Sequence, residues 1–226
     1  MDNYICAFID VLGAKDKALD FEFAKNLDCV ISKFHKKLNE IGFVLRPISD
    51  GFVLAVKTTG DSTDDICYLL ETISWLSQHF LIDAGVLVRG GVALGNLYVG
   101  ENLIFGEALV KAYTIESKEA IYPRVVVHND IVDNLNINKE NYVWAEGVLE
   151  ILIQDNDNRW YVEQMYPIYD CLESEAPEVF EHFLEISNAL RENASSNAYY
   201  YQKFAWWANV VNSKLEKQGK FFRLIV

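Results

Sequence analysis

Apolar and polar positions divide the first 128 residues into strands and helices. A continuous apolar run at residues 4–12 predicts a buried strand, whereas apolar positions every three or four residues predict amphipathic helices. Two β-rich runs flank Ser49-Asp50-Gly51, which predicts a hairpin. The predicted elements are a strand at 4–12, a helix at 21–41, strands at 43–48 and 52–57, a helix at 66–81, a strand at 86–99, a helix at 107–120 and a strand at 124–128.

The order of these elements predicts the fold class. Strand, helix, strand, strand, helix and strand in succession form the split βαβ pattern, so we expect an α+β protein with a ferredoxin-like βαββαβ core. The later part of the chain predicts short strands at 142–145, 148–153 and 159–163 and helices at 175–192 and 196–217. We therefore divide the chain into a core domain at 1–135 and a strand and helical extension, packed on the core, at 136–226.

Composition and charge narrow the function. The chain has 226 residues, is 51% hydrophobic and carries a net charge of −13, so it has a substantial core and is a poor candidate for binding nucleic acid or an anionic membrane. The N-terminus carries no targeting signal, which predicts a cytoplasmic protein. The four cysteines form no CxxC pair and are expected to be buried, reduced thiols.

Two carboxylates stand out by position. Asp10 lies within the buried first strand, and Asp50 lies at the tip of the predicted hairpin. The first and third strands of a split βαβ sheet are neighbours, so these residues can meet at one edge. Crowded carboxylates repel unless a cation joins them, and oxygen ligands suit Mg²⁺ or Mn²⁺. Alternatively, Asp50 is a turn residue and Asp10 accepts backbone hydrogen bonds.

Glycines supply a second signal. Arg89-Gly90-Gly91 precedes Gly95, and Gly106 opens a predicted helix. Glycines let backbone N–H groups approach a phosphate, and a helix N-terminus favours an anion. The same glycines could instead mark bulges in a strand.

Together, these features resemble the class III nucleotide cyclases, and more narrowly the bacterial Pycsar-type pyrimidine cyclases of anti-phage defence. The resemblance rests on short segments in a shared order and spans most of the chain. These segments are Phe8 with Ile9-Asp10-Val11-Leu12-Gly13, Ser49-Asp50, Arg89-Gly90-Gly91 with Gly95, Gly106 to Glu116 with Ala112-Tyr113, Ala120, Pro123-Arg124-Val125, and Tyr201 to Trp207 with Asn212.

The resemblance implies a two-metal cyclase. Asp10, Asp50 and the Ile9 carbonyl would hold two Mn²⁺ or Mg²⁺ ions, the ribose 3′-hydroxyl would attack the α-phosphorus, and pyrophosphate would leave. The expected substrate is UTP or CTP, with UTP favoured, and the product is a 3′,5′-cyclic nucleotide. The implied partner is a second copy of the chain, in a homodimer with shared active sites.

Further site residues follow from the same resemblance. Arg89 and Arg124 are expected to be catalytic, and the remaining predicted residues would contact the nucleotide; these are Phe8, Arg46, Ser49 and Lys111. The alternatives are that Lys111 is an ordinary surface lysine, that Arg89 and Arg124 form salt bridges on strands, and that Arg46 pairs with a surface carboxylate.

One departure from the family pattern leaves the function open. Adenylate and guanylate cyclases carry an Asn and an Arg on the helix that follows the glycine, and these positions are Val110 and Thr114 here. The departure weakens a purine cyclase interpretation and allows a catalytically inactive nucleotide-binding module. A palm-type nucleotidyl transferase would share two carboxylates, but the acidic charge disfavours its nucleic-acid partner.

Overall fold

In the computed structural model, residues 2–58, 62–138, 148–165, 177–217 and 223–226 are described. The elements are β1 (Asp2–Val11), a 3-10 turn (Ala14–Lys17), α1 (Phe21–Glu40), β2 (Phe43–Ile48), β3 (Gly51–Lys57), α2 (Thr63–Ala84), β4 (Val88–Val99), β5 (Ile104–Gly106), α3 (Glu107–Lys118), β6 (Val125–Val127), α4 (Asn129–Asn138), β7 (Leu152–Gln154), β8 (Trp160–Val162), α5 (Pro177–Ser195) and α6 (Ala198–Lys217).

The sheet has the strand order of a ferredoxin-like fold, as predicted. Its order is β2-β3-β1-β4-β6-β8-β7, with β5 paired to β4. Strands β2, β3, β1 and β4 each pair antiparallel with the next one in this order, and β6 pairs parallel with β4. Strand β1 therefore lies between β3 and β4, and both neighbours can place side chains beside it.

The two faces of the sheet carry different helices, because successive side chains of a strand point to opposite sides. On β1, Ile5, Ala7 and Ile9 belong to the core that α1 and α2 cover. Cys6 and Phe8 point to the other face, which α3 covers. Asp10 continues the series of Cys6 and Phe8, so its side chain lies on the α3 face.

The C-terminal part extends this body. Strands β8 and β7 continue the sheet from β6, so the sheet runs across residue 135, and the proposed domain division there stays a prediction. Helices α5 and α6 pack together around Phe183, Phe204 and Trp207. The predicted strand at 142–145 lies outside the described residues, and the one predicted from residue 148 begins at Leu152.

The aromatic stretch of α6 packs against the core. Trp206 stacks on Tyr122 with 5.2 Å between ring centroids, and Trp207 is buried. Asn212 binds the C-terminal segment, since its side chain accepts from Leu224 N at 2.7 Å and donates to Leu224 O at 3.0 Å. These contacts fix α6 relative to the sheet.

Two further findings bear on the sequence-based expectations. No helix in the described part of the chain has the length and apolarity to cross a membrane. Cys6 and Cys67 are buried free thiols, but Cys29 is exposed on the outer side of α1, which corrects the expectation for that residue.

Candidate active site

The structure brings Asp10 and Asp50 to the same end of the sheet. Asp10 lies opposite Gly51 in the β1–β3 register, and Val11 N donates to Asp50 O at 3.3 Å. Ser49 turns the hairpin with a φ of +56°, in the left-handed region. The hairpin tip therefore lies beside the end of β1, and Asp50 acts electrostatically on the Asp10 carboxyl.

Arg89 joins Asp10 to a third carboxylate, Glu116. Asp10 and Arg89 are partners in the β1–β4 register, and Arg89 Nε donates to Asp10 Oδ2 at 3.1 Å. A second nitrogen of the same guanidinium lies 2.6 Å from Glu116 Oε1, at an angle that makes it an ion pair rather than a hydrogen bond. The Glu116 side chain is only 4% exposed, so Arg89 is its main compensation.

Gly91 makes this arrangement possible. A Cβ atom there would lie 2.3 Å from the Ala112 carbonyl oxygen and 2.6 Å from Ile115 Cβ. Without a side chain at this position, α3 lies directly on β4. This close approach places Glu116, on the last turn of α3, against Arg89.

The carboxylates at this site are held in an unfavourable environment. Burial raises the pKa of the Asp10 carboxyl, and the proximity of Asp50 raises it further, while Arg89 and Lys203 oppose the shift. Burial likewise raises the pKa of Glu116, with Arg89 again opposing. Crowded acidic groups with raised pKa values are typical of functional sites.

Lys203, on helix α6, acts electrostatically on this site. The residue is 5% exposed, and its ammonium lies 4.3 Å from the Tyr199 ring centroid. Its charge acts on both Asp10 and Glu116. The described cluster therefore contains three carboxylates and two cations.

The donor set at the hairpin tip fits a divalent ion. Asp10 and Asp50 offer carboxylate oxygens, and Ile9 offers a backbone carbonyl next to Asp10. Within the described ranges, no three His, Cys, Asp or Glu side chains form a metal cage of their own. Two carboxylates completed by substrate phosphates are the usual set for Mg²⁺. Metal binding by Asp10, Ile9 and Asp50 stays a prediction.

Arg124 makes contacts of a different kind. Its guanidinium is 1% exposed, forms ion pairs with Asp155 and Asp157, and packs near the rings of Tyr122 and Trp206. These contacts connect β6 to the loop before β8 and to α6. A catalytic role for Arg124 stays a prediction.

The residues predicted to contact the nucleotide are spread over the α3 face. Lys111 pairs with Glu107 at 2.8 Å on the exposed side of α3. Phe8 packs edge-on against Tyr113, with ring centroids 5.3 Å apart. Arg46 is opposite Val53, which is itself opposite Phe8, so Arg46 points to the same face as Phe8 and Asp10.

The two positions that depart from the family pattern are accessible. Val110 is 58% exposed, and the Thr114 hydroxyl donates to the Val110 carbonyl at 2.7 Å. Neither side chain carries a charge.

Sequence reasoning did not select Glu116 or Lys203 as site residues. Glu116 ends one of the segments that carry the family resemblance, but its approach to Arg89 depends on the packing at Gly91. Lys203 did carry a signal, because it is the one cation within the aromatic stretch from Tyr199 to Trp207.

The comparisons with known proteins concern the fold. No protein-family model and no curated protein sequence matches this chain. Solved structures of nucleotide cyclases are similar to it. The guanylyl cyclase Cya2 is 12% identical with a TM-score of 0.41, over 71% of this chain and 91% of that one.

Two more structures show the same level of similarity. The catalytic core of a rhodopsin-guanylyl cyclase with converted specificity, in complex with ATPalphaS, is 12% identical with a TM-score of 0.43, over 71% of this chain and 95% of that one. An adenylate/guanylate cyclase/hydrolase from Silicibacter pomeroyi is 14% identical with a TM-score of 0.39, over 72% of this chain and 96% of that one. The ferredoxin-like assignment itself depends on the strand order described above.

Proposed function

We propose that this protein is a nucleotide cyclase that converts UTP, or CTP, to its 3′,5′-cyclic nucleotide and pyrophosphate. The observation that carries the proposal is the meeting of Asp10 and Asp50 at one sheet end, beside the Arg89–Glu116 pair. In the reaction, the ribose 3′-oxygen loses its proton to solvent water and bonds to the α-phosphorus. The bond from that phosphorus to the oxygen bridging to the β-phosphorus breaks, and pyrophosphate leaves.

Asp10, Asp50 and the Ile9 carbonyl are the groups that would hold two Mn²⁺ or Mg²⁺ ions. Bound ions would lower the pKa of the 3′-hydroxyl and neutralise charge on the phosphates. Arg89 orients the Asp10 carboxylate through its 3.1 Å hydrogen bond, and Glu116 fixes Arg89. Because the chain carries a charge of −13, a triphosphate needs such local positive charge to bind.

The proposed biological role is the synthesis of a second messenger in defence against phage. This role, like the choice of a pyrimidine base, derives from the segments that resemble the Pycsar-type cyclases. The proposed donor to a pyrimidine carbonyl is Arg46, which lies on the same face of the sheet as Phe8 and Asp10.

The first experiment is a product assay. The purified protein is incubated with Mn²⁺ and each of the four nucleoside triphosphates, and the products are identified by mass spectrometry. We expect cyclic UMP or cyclic CMP from wild type and none above background from Asp10→Asn or Asp50→Asn. Asp133→Asn, an exposed change of the same kind on α4, is the control and should retain full activity.

The variants separate a catalytic role from a structural one. Both substituted proteins should unfold cooperatively, because each change removes a charge and no packing volume. Wild-type turnover in either variant would contradict the two-carboxylate assignment.

A second candidate function is an inactive nucleotide-binding module on the same fold. The exposed Val110 and the uncharged Thr114 favour it, since neither can stabilise charge on a reacting phosphate. Nucleotide binding by wild type without any product in the same assay would support this alternative.

We further propose that the active form is a homodimer. Large apolar side chains are exposed on the outer side of α3 and on the β4–β5 ribbon. They are Tyr98 (51% exposed), Leu103 (57%), Phe105 (58%), Val110 (58%) and Tyr113 (54%). An exposed apolar patch of this kind is typical of an interaction surface.

A further inference from the structure

A cavity of about 470 Å³ lies between the end of β1 and the helical extension. Its walls come from the turn after β1, the segment before β4, and helices α5 and α6. The lining includes Gly13, Lys17, Leu87, Asn193, Tyr200 and Lys203. The volume lies within the range of about 300–1,000 Å³ that is usual for small-molecule sites.

Lys203 is common to this cavity and the carboxylate cluster. It lines the cavity, and its charge also acts on Asp10 and Glu116. Tyr199 lies under its ammonium, and the surrounding helix is fixed by buried Phe204 and Trp207. Lys203 therefore lies between the proposed reaction centre and the cavity. It belongs to α6, which is outside the ferredoxin-like core.

The residues that line the cavity include two lysines, Lys17 and Lys203, and one carboxylate, Asp16. The Asp16 carboxylate interacts with the Tyr200 hydroxyl and raises its pKa. In a protein with a net charge of −13, two lysines that line one cavity favour an anionic ligand.

We propose that Lys203 is the cation that anchors the polyphosphate end of the nucleotide, and that this cavity receives its β- and γ-phosphates. The inference rests on the proposed function, because it takes the α-phosphate to lie at Asp10 and Asp50. Leu12 and Gly13, which follow Asp10 closely in the chain, line the cavity, so the cavity lies next to the proposed position of the α-phosphate. Helices α5 and α6 therefore complete the substrate site, in addition to packing on the core.

The experiment measures binding of inorganic pyrophosphate, and of UTP with Ca²⁺, by isothermal titration calorimetry. Lys203→Met should weaken both by about tenfold to a hundredfold, the loss expected for one hydrogen bond to a charged group. Lys203→Arg should recover part of the affinity, since the charge is restored. Lys217→Met, on the exposed end of the same helix, should bind as wild type does.

A second variant guards against misfolding of Lys203→Met. Lys17 is exposed, so Lys17→Met should fold normally and weaken pyrophosphate binding by about threefold, in line with a screened surface charge. Wild-type affinity for pyrophosphate in Lys203→Met, or no pyrophosphate binding by wild type, would overturn the inference.

The outcomes also separate this inference from the proposed function. If wild type forms a cyclic nucleotide and Lys203→Met does so with an unchanged KM, the cyclase stands and the role of Lys203 fails. If wild type forms no cyclic nucleotide but binds pyrophosphate through Lys203, the polyphosphate site stands and the cyclase fails.

Discussion

Buried carboxyl groups in this protein differ in how well their charge is compensated. Asp10 and Glu116 share the guanidinium of Arg89. Glu163, which follows β8, has Lys214 Nζ at 3.8 Å and accepts from Met165 N at 3.1 Å. Its other oxygen makes no hydrogen bond with any described group, and burial raises the pKa of Glu163. At Glu163, desolvation therefore outweighs the attraction of its partners.

This imbalance predicts a pH-dependent gain in stability for Glu163→Gln. Below the ordinary glutamate pKa of about 4.3, Glu163 is protonated in both the folded and unfolded states. As the pH rises, Glu163 loses its proton first in the unfolded state. The free energy of unfolding of wild type therefore falls until the pH exceeds the raised pKa of Glu163 in the folded state. Glutamine keeps the acceptor for Met165 N and avoids this loss, so the variant should be the more stable protein at pH 7.5.

The measurement is thermal unfolding of both proteins between pH 4 and pH 7.5. The advantage of Glu163→Gln should shrink as the pH falls, and exposed Glu178→Gln on α5 should show no such trend. A variant less stable than wild type at pH 7.5 would show that the Lys214 pair outweighs desolvation.

At the scale of the element, the site depends on how closely one helix approaches the sheet. Helix α3 packs on β4 and β1 through small residues, Ala108 and Ala112, and against the bare backbone at Gly91. Because Glu116 lies on the last turn of this helix, its distance from Arg89 is set by that packing. A side chain at residue 91 would therefore push α3 away from β4 and move Glu116 relative to Arg89.

Gly91→Ala should consequently impair both stability and activity. Its Cβ would meet backbone and Cβ atoms that cannot rotate away, and overpacking of this kind costs about 1–3 kcal/mol of unfolding free energy. Chemical denaturation measures the loss, and the product assay should show a lower kcat. At Gly100, the nearest atoms belong to the flexible, half-exposed Tyr98 ring, so Gly100→Ala is the matched control and should cost little.

At the scale of the whole molecule, the two faces of the sheet are covered unequally. Helices α1 and α2 cover one face with a continuous apolar core, whereas α3 covers part of the other and exposes Val110 and Tyr113 outward. Exposed side chains of this size are consistent with a partner surface. A twofold dimer would bury the same patch on both copies.

We expect the protein to sediment as a dimer and Val110→Asp to shift it toward monomer, because the new carboxylate would have to be desolvated in the interface. Asn26→Asp, which adds the same charge on exposed α1 behind the sheet, should leave the dimer unchanged. Sedimentation velocity at several concentrations gives the answer. A wild-type monomer at all concentrations would contradict the proposal.

Much of the fold could be predicted because its signals are local. The run that ends at Gly13, the turn at Ser49-Asp50-Gly51 and the periodicity of α1 and α2 are each readable over a few residues. The meeting of Asp10 with the hairpin tip also followed, since neighbouring central strands leave few registers open. The bounds of the strands in the C-terminal extension could not be predicted closely, because strands of three residues, such as β7 and β8, carry little periodicity.

The sequence by itself determined the strand order of the ferredoxin-like core and the pair of acidic residues at one end of the sheet, because hydrophobic period and turn chemistry act between near neighbours in the chain. Only the tertiary structure decided that Glu116 and Lys203 join that pair. Their distances from Asp10 depend on the approach of α3 at Gly91 and on the packing of α6. Such contacts between segments far apart in the chain are set by the fit of whole elements, which leaves no local pattern to read.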